Sequence, residues 1–384
     1  MIDRRKLLQS GAVLGGLGLF LPQLASAAVP VTGKRLFVII QRGAADGLGM
    51  IAPVGDPGFS RLRAPWLDEF SDAQQLDSFF KLHPALEQIG ALYRVGEASF
   101  IHAVATSYRE RSHFDGQNLL ETGGTRAYEN KDGWLNRLLS LLPQGEFPAL
   151  ALAPTVPMAL RGAHSVASYA PSALPDASAQ LMDRITRLYA GDAQLHALWE
   201  SAQATRAMAG DNGLRNLRNA QATGKLAASL MNGADGARVM MLDSPGWDSH
   251  ANQPGQLRRN LTQLDTLLGA YRKEMGQAWK DTLVLVATEF GRTAAVNGTN
   301  GTDHGTASAA MLLGGSVKGG RVIADWPGLR NQDLYEQRDL MPTTSLEAVL
   351  ASSVAQHFTI DPARTLPALF PGRTIQPLDG LVSA

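Results

Sequence analysis

Cysteine is absent from the 384 residues. Disulfides, thiolate metal sites and a cysteine nucleophile are therefore excluded. A metal here can be held only by imidazole, carboxylate or hydroxyl groups. Net charge is missing as well: 35 basic residues balance 35 acidic ones. No lysine- or arginine-rich run breaks the balance, so a nucleic-acid partner, which needs a basic face, is not expected. A long apolar run is also lacking, since a bilayer span takes about 20 residues. Residues 11–21 come nearest, and they are short and glycine-rich. Their flanks read as export chemistry instead. Arg4-Arg5-Lys6 precedes the run, and Ala25-Ser26-Ala27 follows it as a small-residue cleavage pattern. Residues 1–28 are expected to be a twin-arginine-type signal peptide, taking the folded protein to the periplasm or beyond. A general secretory signal is the alternative. Neither leaves a stable membrane span after processing.

The chain is rich in glycine (39) and proline (20), which implies many loops, where functional residues concentrate. Between them, short apolar runs alternate with helical patterns. Residues 35–41, 98–104, 237–242, 282–288 and 307–313 are near-continuous apolar stretches, as strands buried on both faces require. Leu86, Ile89 and Leu92 have helical spacing. So do Leu257, Leu261, Leu264, Leu268 and Tyr271. Residues 134–142 and 345–357 also read as helices. Residues 176–231 should form two or three more, as a helical insertion in mid-chain. Strands alternating with helices predict an α/β fold over residues 29–384: a doubly wound, mostly parallel sheet with helices on both faces. Such sheets bind ligands at the carboxyl ends of their strands. Asp46, Asp248 and Glu289 each follow an apolar strand.

Acids and imidazoles recur as tight pairs. Asp303-His304 lies in a loop of glycine, threonine and asparagine. Asp248 and His250 share a second loop, and His113 and Asp115 lie near a third. Burying Asp beside His is costly unless both are paired or bound, and convergent N and O donors suit a divalent cation. His304 is the better ligand of its pair, with Asp303 positioned to orient it. His113 and Asp115 are two residues apart and point differently on a helix, so at most one ligates. Asp46 fits either a ligand or a turn, because Asp-Gly is common turn chemistry. Ser112 stands at a helix start, where its hydroxyl can attack an ester beside a metal, or simply cap the helix with Asp115. Ser107 is a second nucleophile candidate. Glu289 is a candidate ligand and Arg292 a candidate anion clamp, unless the two form a structural pair. His83, His102, His164, His196 and His357 look structural.

Seven segments together resemble a known family. They are Arg42-Gly43-Ala44-Ala45-Asp46-Gly47, His83-Pro84-Ala85-Leu86, Arg111-Ser112-His113-Phe114-Asp115, Gly133-Trp134-Leu135-Asn136-Arg137, Asp248-Ser249-His250-Ala251-Asn252-Gln253, Glu289-Phe290-Gly291-Arg292-Thr293 and Gly301-Thr302-Asp303-His304-Gly305. The family is the exported bacterial domain of unknown function 1501, placed in the alkaline phosphatase-like and sulfatase superfamily. The resemblance implies an alkaline phosphatase-like fold, one or two divalent ions (zinc, manganese, calcium or magnesium) and a phosphate or sulfate ester substrate. It makes Asp46, Asp248, His250, Glu289 and His304 the metal ligands and Ser112 the nucleophile. Phe290 departs from the superfamily, where many relatives carry Asp-His, because an apolar ring cannot ligate. Either the second metal is lost, or His113 or Asp303 substitutes, or the reaction differs. A metal-dependent ester hydrolase with a small anionic ester or glycan substrate is the expected function. The alternatives are a non-catalytic metal- or anion-binding exported protein and a metalloenzyme of another reaction class, acting with an exported partner protein.

Overall fold

A computed structural model describes residues 33–143, 148–174, 177–210 and 213–383. The expected signal peptide, residues 1–28, lies outside the described residues. Along the chain run β1 (Arg35–Arg42), β2 (Ile51–Ala52), β3 (Lys81–Leu82), β4 (Ala98–Ala105), β5 (Ala149–Leu152), β6 (Ala167–Tyr169), β7 (Val239–Pro245), β8 (Thr282–Thr288), β9 (Ser308–Leu313), β10 (Arg321–Ile323) and β11 (Thr344–Ser345). The principal helices are α1 (Glu87–Arg94), α2 (His113–Thr122), α3 (Trp134–Leu139), α4 (Ala179–Tyr189), α5 (Ala193–Ala209), α6 (Ala220–Met231), α7 (Gln253–Met275) and α8 (Leu346–Phe358).

Nine strands make one sheet, ordered β10-β4-β9-β8-β1-β7-β5-β6, with β11 alongside β4. β1 pairs in parallel with β7 and β8. β9 is antiparallel to both its neighbours, β4 and β8. Among the described residues it is the single reversed strand of this sheet, which is therefore mostly parallel, as expected. The continuous apolar runs follow from burial on both faces. Phe37 and Ile39 of β1 join a core with α6 and α7. The alternate residues Leu36, Val38 and Ile40 are just as buried. In α7, Leu257, Leu261, Leu264, Leu268 and Tyr271 recur every three or four residues, and all are buried. That stripe points at the sheet, and each side chain contributes about 2 kcal/mol. Residues 179–231 form three helices. α4 buries none of its residues, and α6 packs into the core.

Candidate metal centre

The topology gathers loops from distant parts of the chain. β1, β4, β7 and β8 run the same way, so the loops after them emerge at one edge. These loops carry Gly43–Asp46, the approach to His113, Asp248–His250 and Glu289–Arg292. β9 is reversed, so the loop before it, with Asp303 and His304, reaches that same edge. Close backbone approach requires two glycines. A Cβ on Gly301 would stand 2.2 Å from the His250 carbonyl oxygen, and one on Gly43 (φ +115°) 2.5 Å from the Asp248 nitrogen.

Four side chains converge there. His113 Nε2 lies 2.9 Å from His304 Nε2, and His250 Nε2 lies 3.0 Å from it. Asp248 Oδ1 is 3.0 Å from His250 Nε2 and 3.3 Å from His304 Nε2. Asp248 Oδ2 is 3.4 Å from His113 Nε2. His113, Asp248 and His304 have the geometry of a group able to hold a metal ion, and His250 adjoins two of the three. Ligand atoms around zinc at about 2.0–2.1 Å stand roughly 3.3 Å apart in a tetrahedron. The spacings here, 2.9 to 3.4 Å, lie around that value.

Proton accounting gives this cluster its meaning. His113 Nδ1 lies 2.9 Å from Glu289 Oε1. His250 Nδ1 lies 3.1 Å from Asp303 Oδ1, and His304 Nδ1 3.0 Å from the Arg111 carbonyl. Ionised carboxylates and carbonyls only accept, so each Nδ1 carries the proton and donates it outward. In its neutral form each ring then turns a bare Nε2 lone pair inward. Protons join these groups only pairwise, His113 to His304 and His250 to Asp248. A cation satisfies all of them together, so the residues fit a metal. Carboxylate or carbonyl acceptors behind ligating imidazoles are the usual second layer of such sites.

The hydrogen bond to Glu289 raises the pKa of His113 despite its burial. Burial and the charge of His113 lower that of His304. Burial pushes Asp248 upward, but the hydrogen bond and charge of Arg292 outweigh it and hold the carboxylate low. Burial likewise opposes ionisation of Glu289, and the bonds from His113, Gln117 and the Gly43 N–H prevail. Asp303 is held low chiefly by His250.

Several sequence-predicted residues take other places. Asp46 is buried, and both its oxygens accept from Arg63, at 2.5 and 3.0 Å. Gln253 also donates to it. A fixed guanidinium occupies its lone pairs, so Asp46 is an internal anchor and not one of the converging donors. Glu289 is wholly buried and turned to His113, Gly43 and Gln117. It stands behind His113. Arg292 is 1 % exposed. Its guanidinium donates to Asp248 Oδ1 at 2.6 Å and to Thr302, so it fixes Asp248 and is not free to clamp an anion. Asp303 orients His250, where His304 was expected. Ser112 precedes α2 without a side-chain capping bond, and its N–H donates to the Tyr108 hydroxyl at 3.1 Å. Asp115 accepts no capping bond either and faces that same hydroxyl at 3.4 Å. The Ser107 hydroxyl is bonded to Arg373. Phe290 is buried, and the His113 ring stacks on it with centroids 4.9 Å apart. An apolar ring there acts as a floor for a ligand.

Sequence reasoning missed Arg63, Gln117, Thr302 and the Arg111 carbonyl as supports. Gln253 had a visible signal, ending the Asp248–Gln253 motif. It links Asp46 to Ser249 and Thr302.

No curated protein matches the chain. Among solved structures, it is similar to the lipoteichoic acid synthase LtaP from Listeria monocytogenes, with 10% identity and a TM-score of 0.40 over 92% of this chain and 76% of that one. It is similar to alkaline phosphatase from the Antarctic bacterium TAB5, with 13% identity and a TM-score of 0.37 over 76% and 94%. It is also similar to the phosphonate monoester hydrolase of Agrobacterium radiobacter, with 11% identity and a TM-score of 0.36 over 90% and 79%. Residues 105–370 match the family described as "Protein of unknown function (DUF1501)". That match spans more than half of the chain and takes in His113, Asp248, His250 and His304: the protein belongs to the DUF1501 family.

Proposed function

We propose that this protein is an exported metal-dependent hydrolase of a phosphate or sulfate ester, with one cation held by His113, Asp248, His250 and His304. One observation carries the reading: three imidazoles whose Nδ1 atoms face acceptors aim their Nε2 atoms at one another and at a carboxylate. An imidazole-rich set suits a first-row transition cation, zinc before manganese, over calcium or magnesium, which prefer oxygen shells. One ion is proposed and not two, because Arg63 already neutralises Asp46 and Phe290 offers no donor. Held by these four residues, such a cation would supply Lewis acidity for an ester oxygen and would lower the pKa of a water to about 7.

The chain's own residues supply the rest. Arg292 holds Asp248, Glu289 holds His113, and Asp303 holds His250. Ser112 adjoins His113 at the start of a ten-residue helix, where the backbone favours negative charge. Its hydroxyl is the proposed nucleophile. Export is supported by the pattern of residues 1–28, and no described helix is long and apolar enough to cross a membrane.

Elemental analysis of purified protein, together with hydrolysis of 4-nitrophenyl phosphate and 4-nitrophenyl sulfate, tests the reading. The expected result is one tightly held ion per chain and turnover that disappears with chelator and in His304→Ala. A folded protein that binds no ion would end it. A second reading, a non-catalytic metal-binding protein, is favoured by one observation. Arg292, Arg111 and Arg338 are each committed to protein carboxylates or carbonyls, leaving none of them to receive an anion. Turnover that Ser112→Ala abolishes would exclude it.

A further inference from the structure

His304 touches every other member of the proposed ligand set, since its Nε2 meets His113, His250 and Asp248. What aims that nitrogen is the acceptor on the far side of the ring, the Arg111 carbonyl at 3.0 Å. Arg111 itself has φ +62°, a left-handed conformation that arginine does not adopt without external restraint. The restraint comes from a turn more than 220 positions away. Arg111 Nε donates to Asp339 Oδ2 at 2.9 Å, and its Nη2 lies 2.8 Å from the same oxygen. Nη2 also reaches Glu336, and the guanidinium lies over the Tyr335 ring.

Asp339 is fully buried. Its other oxygen takes Arg338 Nε at 2.8 Å, and Arg338 Nη2 reaches back to the His304 carbonyl. The turn is closed by paired backbone bonds between Tyr335 and Asp339, at 2.9 and 3.0 Å, and Ala294 donates to the Arg338 carbonyl at 3.1 Å. Glu336 and Gln337 have φ +51° and +56°. The turn therefore grips His304 from two sides, through its ring by way of Arg111 and through its backbone by way of Arg338.

We infer that the Tyr335–Asp339 turn is the positioning device of the metal centre, with Asp339 and Arg111 as positioning residues that fix the direction of the His304 lone pair. The inference rests on the metal-binding reading above. A ligand whose outer support is removed loses affinity for its metal typically 10–100-fold. A merely structural ion pair would instead lower the melting temperature and leave the affinity of the folded protein unchanged.

The test titrates Zn2+ alone into wild type, Asp339→Asn and Arg111→Gly, well below the melting temperature of each. Glycine suits the left-handed backbone and keeps the carbonyl, so the second variant stays informative if the first folds poorly. The expected result is a Kd raised 10–100-fold in both, with native circular dichroism and faster exchange of the His304 Nδ1 proton by NMR. Wild-type affinity in a folded Arg111→Gly would overturn the inference and leave the metal reading intact. Failure of wild type itself to bind Zn2+ would overturn both.

Discussion

Glu289→Gln isolates the contribution of a buried carboxylate behind a ligand. The carboxylate is fully buried and accepts from His113 Nδ1 at 2.9 Å, Gly43 N–H at 2.9 Å and Gln117 at 3.0 Å. Glutamine keeps the shape and one acceptor oxygen, so the Nδ1 bond survives with a neutral partner. A hydrogen bond to a charged group is worth about 1.5–3 kcal/mol and a neutral one about 0.5–1.5. The difference is roughly 1.2 kcal/mol, which converts to about an eightfold loss of metal affinity. His113, whose pKa is raised chiefly by Glu289, should also titrate lower in the metal-free variant. Competitive Zn2+ titration against a chelator gives the first quantity, and NMR of the imidazole gives the second. An affinity within twofold of wild type, with His113 titrating at its lowered value, would refute the idea that the carboxylate tunes the ligand.

Three further outcomes follow. Asp46→Ala leaves the Arg63 guanidinium buried without its partner, at a cost of about 3–5 kcal/mol, yet bound metal per chain should stay unchanged; loss of the ion in folded protein would restore Asp46 as a ligand. Acid should destabilise the metal-free protein early. Burial depresses His102 to about 4 and His357 to about 3, so below the unfolded value of about 6.5 the unfolded chain takes up protons that the native one refuses. Stability is complete above that value and falls with pH down to the two native pKa values, by about 1.4 kcal/mol per pH unit for each imidazole. Melting curves between pH 7 and 5 should show the decline, and His357→Gln should flatten it; an unchanged slope would contradict this origin. Gly291→Ala would put a Cβ 1.8 Å from the Ala307 carbonyl oxygen, so a loss of several kcal/mol is expected from backbone displacement. Denaturant unfolding that shows less than about 1 kcal/mol would mean that the loop yields freely.

The sheet was legible because strands buried on both faces have no polar alternation to confuse them. Thr282–Thr288 is buried at every position, and its boundaries coincide with the apolar run. The site's location was legible for the related reason that strand ends in such sheets carry function. The reversal of β9 was not legible, since strand direction depends on pairing and not on local pattern. That reversal is what brings His304 to His113, Asp248 and His250. The pairing of Asp46 with Arg63 was not legible, because Arg63 sits in a region with no periodic signal. Glu289 and Arg292 have ligand-like and clamp-like chemistry in sequence, and only their burial assigns them to support. His113 was undervalued because its neighbour Asp115 competed for the same role. The helix start turns His113 toward Glu289 and Asp115 toward Tyr108.

The central claim is that one cation sits where His113, Asp248, His250 and His304 meet. Anomalous diffraction from crystals of the purified protein, recorded across the zinc and manganese absorption edges, addresses it directly. The account predicts a single strong peak at about 2.0–2.2 Å from the three Nε2 atoms and a carboxylate oxygen of Asp248. A peak beside Asp46, or no peak while the four side chains hold the geometry described, would contradict it.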